Sequence, residues 1–187
     1  MTVSCNWIKV PLRLMGVKFG KRVALHGVPV IFNRKGAKLE IGNNVTIKSS
    51  FLSNLVGLYQ RTIIVTRTPE AHIKIGDNVG ISGATIYARK HIDIGEGTLV
   101  GGNVKIIDND FHPLNVEARK ADIKADIKAK PIKVGKNCFI GCNAIVLKGT
   151  VLGDGCVVGA GAVVCGVFGD NCIIAGNPAK EIKRCEE

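Results

Sequence analysis

The chain has 187 residues, enough for one domain with a sizeable core, and 46% of them are hydrophobic while only 5% are aromatic. Stacked narrow coils have room mainly for aliphatic and small side chains, so the scarcity of rings and the 23 glycines argue against a ring-filled globular core. A net charge of +11 points to a polyanionic partner; without an aromatic-interleaved basic motif nucleic acid is not expected, which leaves a phosphorylated cofactor or an anionic membrane surface.

Residues 1–38 read as a segment preceding the repeats. Eight basic and no acidic residues lie before Glu40, interleaved with Trp7, Ile8, Val10, Leu12, Leu14, Met15 and Phe19. Two roles fit such a start: a cap over the open end of a repeat stack, or an amphipathic contact with an anionic membrane. Lys9 and Arg13 interrupt the apolar run, which argues against a signal peptide, and no stretch approaches roughly 18 uncharged apolar residues. A cytoplasmic location is expected, the inner membrane surface being where the basic start would act.

From residue 39 an apolar-polar-apolar-Gly corner recurs, as Leu39-Glu40-Ile41-Gly42, Ile73-Lys74-Ile75-Gly76, Ile92-Asp93-Ile94-Gly95 and Ile132-Lys133-Val134-Gly135. Ile41 and Ile47, Ile75 and Ile81, and Ile94, Val100 and Ile106 keep a spacing of six. The step of 13 from Ile81 to Ile94 predicts a one-residue insertion at a corner, and the step of 28 from Ile106 to Val134 predicts a longer excursion. A strict run then follows at Val134, Ile140, Val146, Leu152, Val158 and Val164. The fifth slot of each hexad is small, with Cys138, Ala144, Thr150, Cys156 and Ala162, and only Phe168 departs. A period of six is neither helical nor simple strand alternation; it predicts an all-β parallel β-helix over residues 39–175, with 176–187 as a C-terminal tail, all within one domain, 1–187.

One rung beyond Ile106 the aliphatic slot falls on His112, and the pattern is then abandoned over residues 113–131, a lysine-rich excursion read as a solvated loop or short helical arm. An imidazole at such a rim is either a corner residue bonded to backbone or a general base, with Asp108 or Asp110 available to hold the ring. The seven cysteines are odd in number and form no CxxC pair, so they read as reduced, with Cys138 and Cys156 as small core residues.

The hexapeptide array, Asp110-Phe111-His112-Pro113 at a loop boundary and the closing Ala175-Gly176-Asn177-Pro178-Ala179-Lys180 resemble the left-handed β-helix acyltransferases, in particular the sugar O-acetyltransferases related to maltose and galactoside acetyltransferase, including those of polysaccharide biosynthesis. The resemblance covers roughly residues 39–184. It implies a homotrimer with sites between adjacent subunits, acetyl-CoA as donor, no catalytic metal, and direct attack of a saccharide hydroxyl on the thioester. By resemblance His112 is the general base, the Cys142 amide meets the thioester oxygen, Phe139 lies against the cofactor, and the Ala160 backbone meets the pantetheine arm. Lys180 and Lys183 would meet the cofactor phosphates. Ser82 and Asp110 fall on the acceptor side.

Two other functions use the same repeat. One is a non-catalytic scaffold or binding module. The other is a metalloenzyme like the γ-class carbonic anhydrases, for which His72 and His91, before equivalent corners, would stack one coil apart.

Overall fold

The computed structural model describes residues 4–184; the extreme ends of the predicted start and tail, and Cys185, lie outside them. Three parallel sheets form the walls of a left-handed β-helix. The first sheet holds Val17–Phe19, Lys38–Ile41, His72–Ile75, His91–Ile94, Ile132–Val134, Val151–Leu152 and Val167–Phe168. The second holds Ala24–His26, Thr46–Lys48, Gly80–Ser82, Leu99–Val100, Phe139–Ile140, Val157–Val158 and Cys172–Gly176, with Ala179–Arg184 returning antiparallel on its edge. The third holds Val30–Asn33, Ile63–Thr66, Thr85–Ala88, Lys105–Ile107, Ile145–Leu147 and Val163–Val164. Six coils supply one strand to each sheet, and a last coil supplies strands to the first two only.

Every aliphatic residue of the period-six pattern lies in the core, from Ile41 to Val164, because alternation along a short strand turns one side chain inward and its neighbours out. The small fifth slot is stacked too. Cys138, Cys156 and Cys172 occupy it in successive coils, and their thiols donate to the carbonyls of Gly153 and Gly169 and to the Glu181 carboxylate. Burial pushes the Cys138 thiol up to about 11, so it stays protonated.

Phe168 is not in the small slot expected for it: it pairs with Leu152 and so takes the aliphatic slot, after a corner two residues short. Three larger details also differ from the sequence expectation. First, the β-helix begins at Val17, not at residue 39: Phe19, Leu25 and Ile31 pair with Ile41, Ile47 and Ile64 and complete a coil. Their spacing is already six, but only Phe19 is followed directly by glycine. The cap is therefore shorter. It is the helix Lys9–Leu14, whose Leu12 enters the core while Val10 and Leu14 face outward. Second, the net extra residue between Ile81 and Ile94 is a sum of two changes. Register pairs Ile81 with Val100 and Ile86 with Ile106, so the corner at Gly83 is one residue short, and the next corner, through Arg89 and Lys90, is two residues long. Gly83 permits the tight corner with a φ of 56°. Third, there are two excursions. Residues 49–62 leave the stack between Lys48 and Ile63 and supply 11 of the 16 extra residues in the Ile47-to-Ile75 step of 28, the other five lengthening the corner over 67–71.

Candidate active site

Register stacks Thr46, Gly80, Leu99, Phe139, Val157, Ile173 and Lys183 in one column on the second sheet. A second column lies beside it, two residues along: Ser82, Gly101, Gly141, Gly159 and Ala175, with Lys180 paired to Ala175. The coil stacking itself demands this bare floor. A Cβ on Gly141 would stand 2.6 Å from the Ala160 nitrogen, and one on Gly159 3.1 Å from the Ala175 Cβ. With strands about 4.8 Å apart, the steps from Ser82 to Lys180 cover about 24 Å, which suits an extended, flexible ligand lying along the helix axis. Toward the Ser82 end the face deepens into a groove of about 380 Å³ that contains Lys48, Ser82, Leu99 and the half-exposed Phe139.

Lys180 and Lys183, three residues apart, would point to opposite faces of a regular strand. A register irregularity at Ile173/Ile174 absorbs one residue, so Lys183 sits opposite Ile173 and Lys180 opposite Ala175, and both ammonium groups share one exposed face. Along the corner that leads to the third sheet, Gly102, Cys142 and Ala160 take equivalent places in successive coils. None of their three amides donates a hydrogen bond among the described residues, while the Cys142 carbonyl accepts from the Gly161 amide at 2.9 Å. The corner thus presents a column of free donors beside the groove, and Cys142 contributes through its backbone.

The first excursion lies on this same corner as a strap over residues 54–60. Asn54 donates to the Ser82 hydroxyl at 3.1 Å, Asn103 donates to the Gly57 carbonyl at 3.0 Å, and the Tyr59 hydroxyl donates to the Asn143 side-chain carbonyl at 3.3 Å. Gln60 is held by the Gly83 carbonyl and by the Lys105 ammonium. A Cβ on Gly102 would come within 2.7 Å of Val56. Ser82 is therefore covered and bonded from above, which its hexad position did not reveal.

His112 stands elsewhere, on the far edge of the third sheet. Both legs of the second excursion pair where they leave the stack, through an Asn109–Ala129 bridge and bonds from Asp110 to Lys128 and from Lys130 to Asp108. Between them lie the helix Val116–Lys120, N-capped by Asn115, and a 3-10 turn, Lys124–Asp126. The Asn109 side chain accepts from the Phe111 amide at 2.9 Å and holds Phe111 at a φ of 61°, so that exposed His112 faces a cleft of about 200 Å³ with Arg67, Tyr87, Arg89 and Lys124.

Neither nearby carboxylate orients the ring. Asp108 is fully buried and accepts from the Arg89, Lys90 and His91 amides at 2.7, 2.6 and 2.9 Å, which fixes the lengthened corner. Asp110 pairs with Lys148, and its other oxygen is buried with no partner among the described residues. The structure thus brings Ser82, Phe139, Cys142, Ala160, Lys180 and Lys183 to one face and corner, and sets His112 and Asp110 apart from them. Cys142 stands on the corner before the third-sheet strand Ile145–Leu147, and Lys148, the partner of Asp110, directly follows that strand, so a full strand lies between the two groups.

His72 and His91 do stack one coil apart, with ring centroids at 4.8 Å. His72 is 3.1 Å from a Glu40 oxygen, and no three His, Cys, Asp or Glu side chains among the described residues gather as a metal-ligand set.

The family model for the hexapeptide repeat of succinyl-transferases matches residues 131–165, the strict part of the run. A Saccharomyces cerevisiae protein with an inferred acetyltransferase name is 31% identical over 147 residues, covering 75% of this chain and 72% of its own. The galactoside O-acetyltransferase of Escherichia coli is 29% identical over 126 residues, or 64% of this chain and 60% of its own. Among solved structures, a Bacillus cereus N-acyltransferase in complex with dTDP and coenzyme A has the same fold, with a TM-score of 0.72 over 100% of this chain and 93% of its own at 20% identity. The chain spans about half the length of the first curated relatives it matches, 44% of one and 49% of another.

Proposed function

Because this chain belongs to the hexapeptide-repeat acetyltransferases, we propose that it transfers an acetyl group from acetyl-CoA directly to a hydroxyl of a sugar or saccharide precursor, with His112 as general base. The observation that carries this reading is the bare groove of the second sheet, flanked by the unpaired Cys142 and Ala160 amides and ending at Lys180 and Lys183. Acetyl-CoA would lie along it, with Phe139 against the donor and the two lysines at its phosphates. The two half-sites close when copies assemble about a threefold axis and the His112 cleft of one meets the groove of the next.

In that arrangement the His112 imidazole accepts the acceptor hydroxyl proton as the oxygen attacks the thioester carbon. The negative charge that develops on the carbonyl oxygen takes a hydrogen bond from the Cys142 amide, and the proton passes from the imidazolium to the departing thiolate. Ser82 on the groove side and Asp110 on the histidine side are the proposed acceptor contacts. The oxygen acceptor follows the galactoside relative. The exposed Trp7, Val10 and Leu14, set among Lys9, Arg13 and Lys18, supply a contact with anionic lipid; no helix among the described residues is long and apolar enough to cross a membrane.

The test is incubation with acetyl-CoA and a panel of sugars, nucleotide sugars and glycans, following free thiol. Acceptor-dependent thiol release supports the reading. No release above background with any saccharide overturns it.

A further inference from the structure

The corner that leads from the third sheet toward the His112 cleft carries arginine in three consecutive coils. Asn33, Thr66 and Ala88 are in register, and each is followed directly by arginine: Arg34, Arg67 and Arg89. Adjacent members of this ladder therefore start from backbones about 4.8 Å apart. Like charges on neighbouring coils repel, and no ion pair among the described residues neutralises them. Arg34 and Arg67 make no side-chain hydrogen bond or ion pair among the described residues, and the Arg89 guanidinium reaches only the Lys124 carbonyl, at 3.4 Å. The one carboxylate lining the cleft, Asp122, is paired with Lys124 at 3.4 Å. Arg67, Arg89 and His112 thus face one cleft of about 200 Å³, with Tyr87 and Phe111 forming an aromatic wall at a centroid distance of 4.9 Å.

We propose that Arg67 and Arg89 form an anion subsite of the acceptor, and that the acceptor is a phosphorylated saccharide whose phosphoryl group they hold beside His112. Two guanidinium groups lining one cleft can present donor forks to the oxygens of a single phosphoryl group and lose their mutual repulsion when it lies between them. The aromatic wall suits the apolar face of a sugar ring. The proposal rests on the acyl-transfer reading for the role of His112, while the anion subsite itself stands on the arginine ladder and the cleft.

The test separates the two. In histidine-labelled full-length protein, the His112 ring resonance is followed while glucose, glucuronic acid, glucose 1-phosphate, UDP-glucose or inorganic pyrophosphate is added, for the wild type and for Arg67→Ala, Arg89→Ala and Arg67→Lys. The phosphorylated ligands and pyrophosphate should shift His112 where glucose does not. Each alanine variant should weaken them about ten- to a hundred-fold, as expected for loss of a charge-assisted contact, with Arg67→Lys losing less. Affinity should also fall with added salt. A shift with glucuronic acid alone would make the recognised group a carboxylate and overturn the phosphoryl assignment. Phosphorylated ligands that leave His112 unmoved, or bind the alanine variants as tightly as the wild type, overturn the subsite, even where a neutral sugar releases thiol from acetyl-CoA. Arginine-dependent binding in a protein that acetylates no saccharide keeps the subsite and removes the acyl-transfer reading.

Discussion

His112 and Cys142 divide the proposed chemistry between a side chain and a backbone. His112 sits at the tip of an Asx-type turn, where Phe111 takes a left-handed φ, and its ring is exposed and makes no side-chain hydrogen bond among the described residues. Replacing it with alanine removes nothing from the core. His112→Ala should keep its oligomeric state and melting temperature while turnover falls roughly 10² to 10⁴-fold, the range for a lost general base. Thiol release and light scattering on the same sample check both halves. Cys142 should behave in the opposite way. Its thiol is half-buried at a corner whose amide is the free donor, so Cys142→Ala should leave turnover close to wild type. A large loss in that variant would transfer the role to the sulfur.

At the scale of elements, the regular coils carry the proposed donor groove and the irregular corners carry the strap and the His112 arm. The strap over residues 54–60 and the arm over 108–131 leave from opposite edges of the third sheet, and each is tied back to the coils by side-chain or antiparallel bonds. The first sheet has its own pH dependence. Burial holds the His91 imidazole below its ordinary pKa of 6.5, and the neighbouring His72 pushes the same way, against smaller opposing effects from Asp93 and Asp108. The unfolded chain therefore binds this proton more tightly than the folded one. The stability that His91 contributes is complete above about pH 6.5 and is lost as pH falls through the lowered folded value. Glu40, held below its ordinary range by Lys18 and then His72, acts the same way only below about 4.5. Thermal melts between pH 7 and 5 should show the wild type losing stability and His91→Gln losing less. Parallel slopes would show that His91 carries none of this dependence.

At the scale of the whole molecule, the proposed mechanism places its two halves on different edges of one copy and therefore predicts an oligomer. Light scattering should give about three times the 19.9 kDa chain mass. A sharper measurement mixes two inactive proteins. His112→Ala and a Lys180→Glu/Lys183→Glu double variant, unfolded and refolded together in equal amounts, should regain about one quarter of the sites, since only interfaces pairing an intact histidine with an intact groove can work. No recovery in verified mixed trimers would place the whole site within one chain. The basic N-terminal face makes a separate prediction. Anionic vesicles should sediment the protein at low salt, neutral ones should not, and Trp7→Ser/Leu14→Ser should weaken the binding, because each cation near such a surface adds on the order of 1 kcal/mol. Equal sedimentation of wild type and variant would remove the membrane contact.

The sequence by itself determined the repeat, the inward aliphatic column and the existence of a break between Ile106 and Val134, because a regular coil turns every sixth side chain inward and has room there mainly for aliphatic and small groups. It also contains two further signals: the spacing of Phe19, Leu25 and Ile31, and the second step of 28 between Ile47 and Ile75. Only the tertiary structure decided which corner each irregularity occupies, since insertions and deletions at successive corners cancel in a residue count, as they do around Gly83 and Arg89. It alone turned Lys180 and Lys183 to one face through a register shift, gave Asp108 to a corner of backbone amides, and brought Arg67 and Arg89 to one cleft. Those facts depend on which residues meet across coils, and a contact between residues a full coil apart follows from the summed lengths of every corner between them.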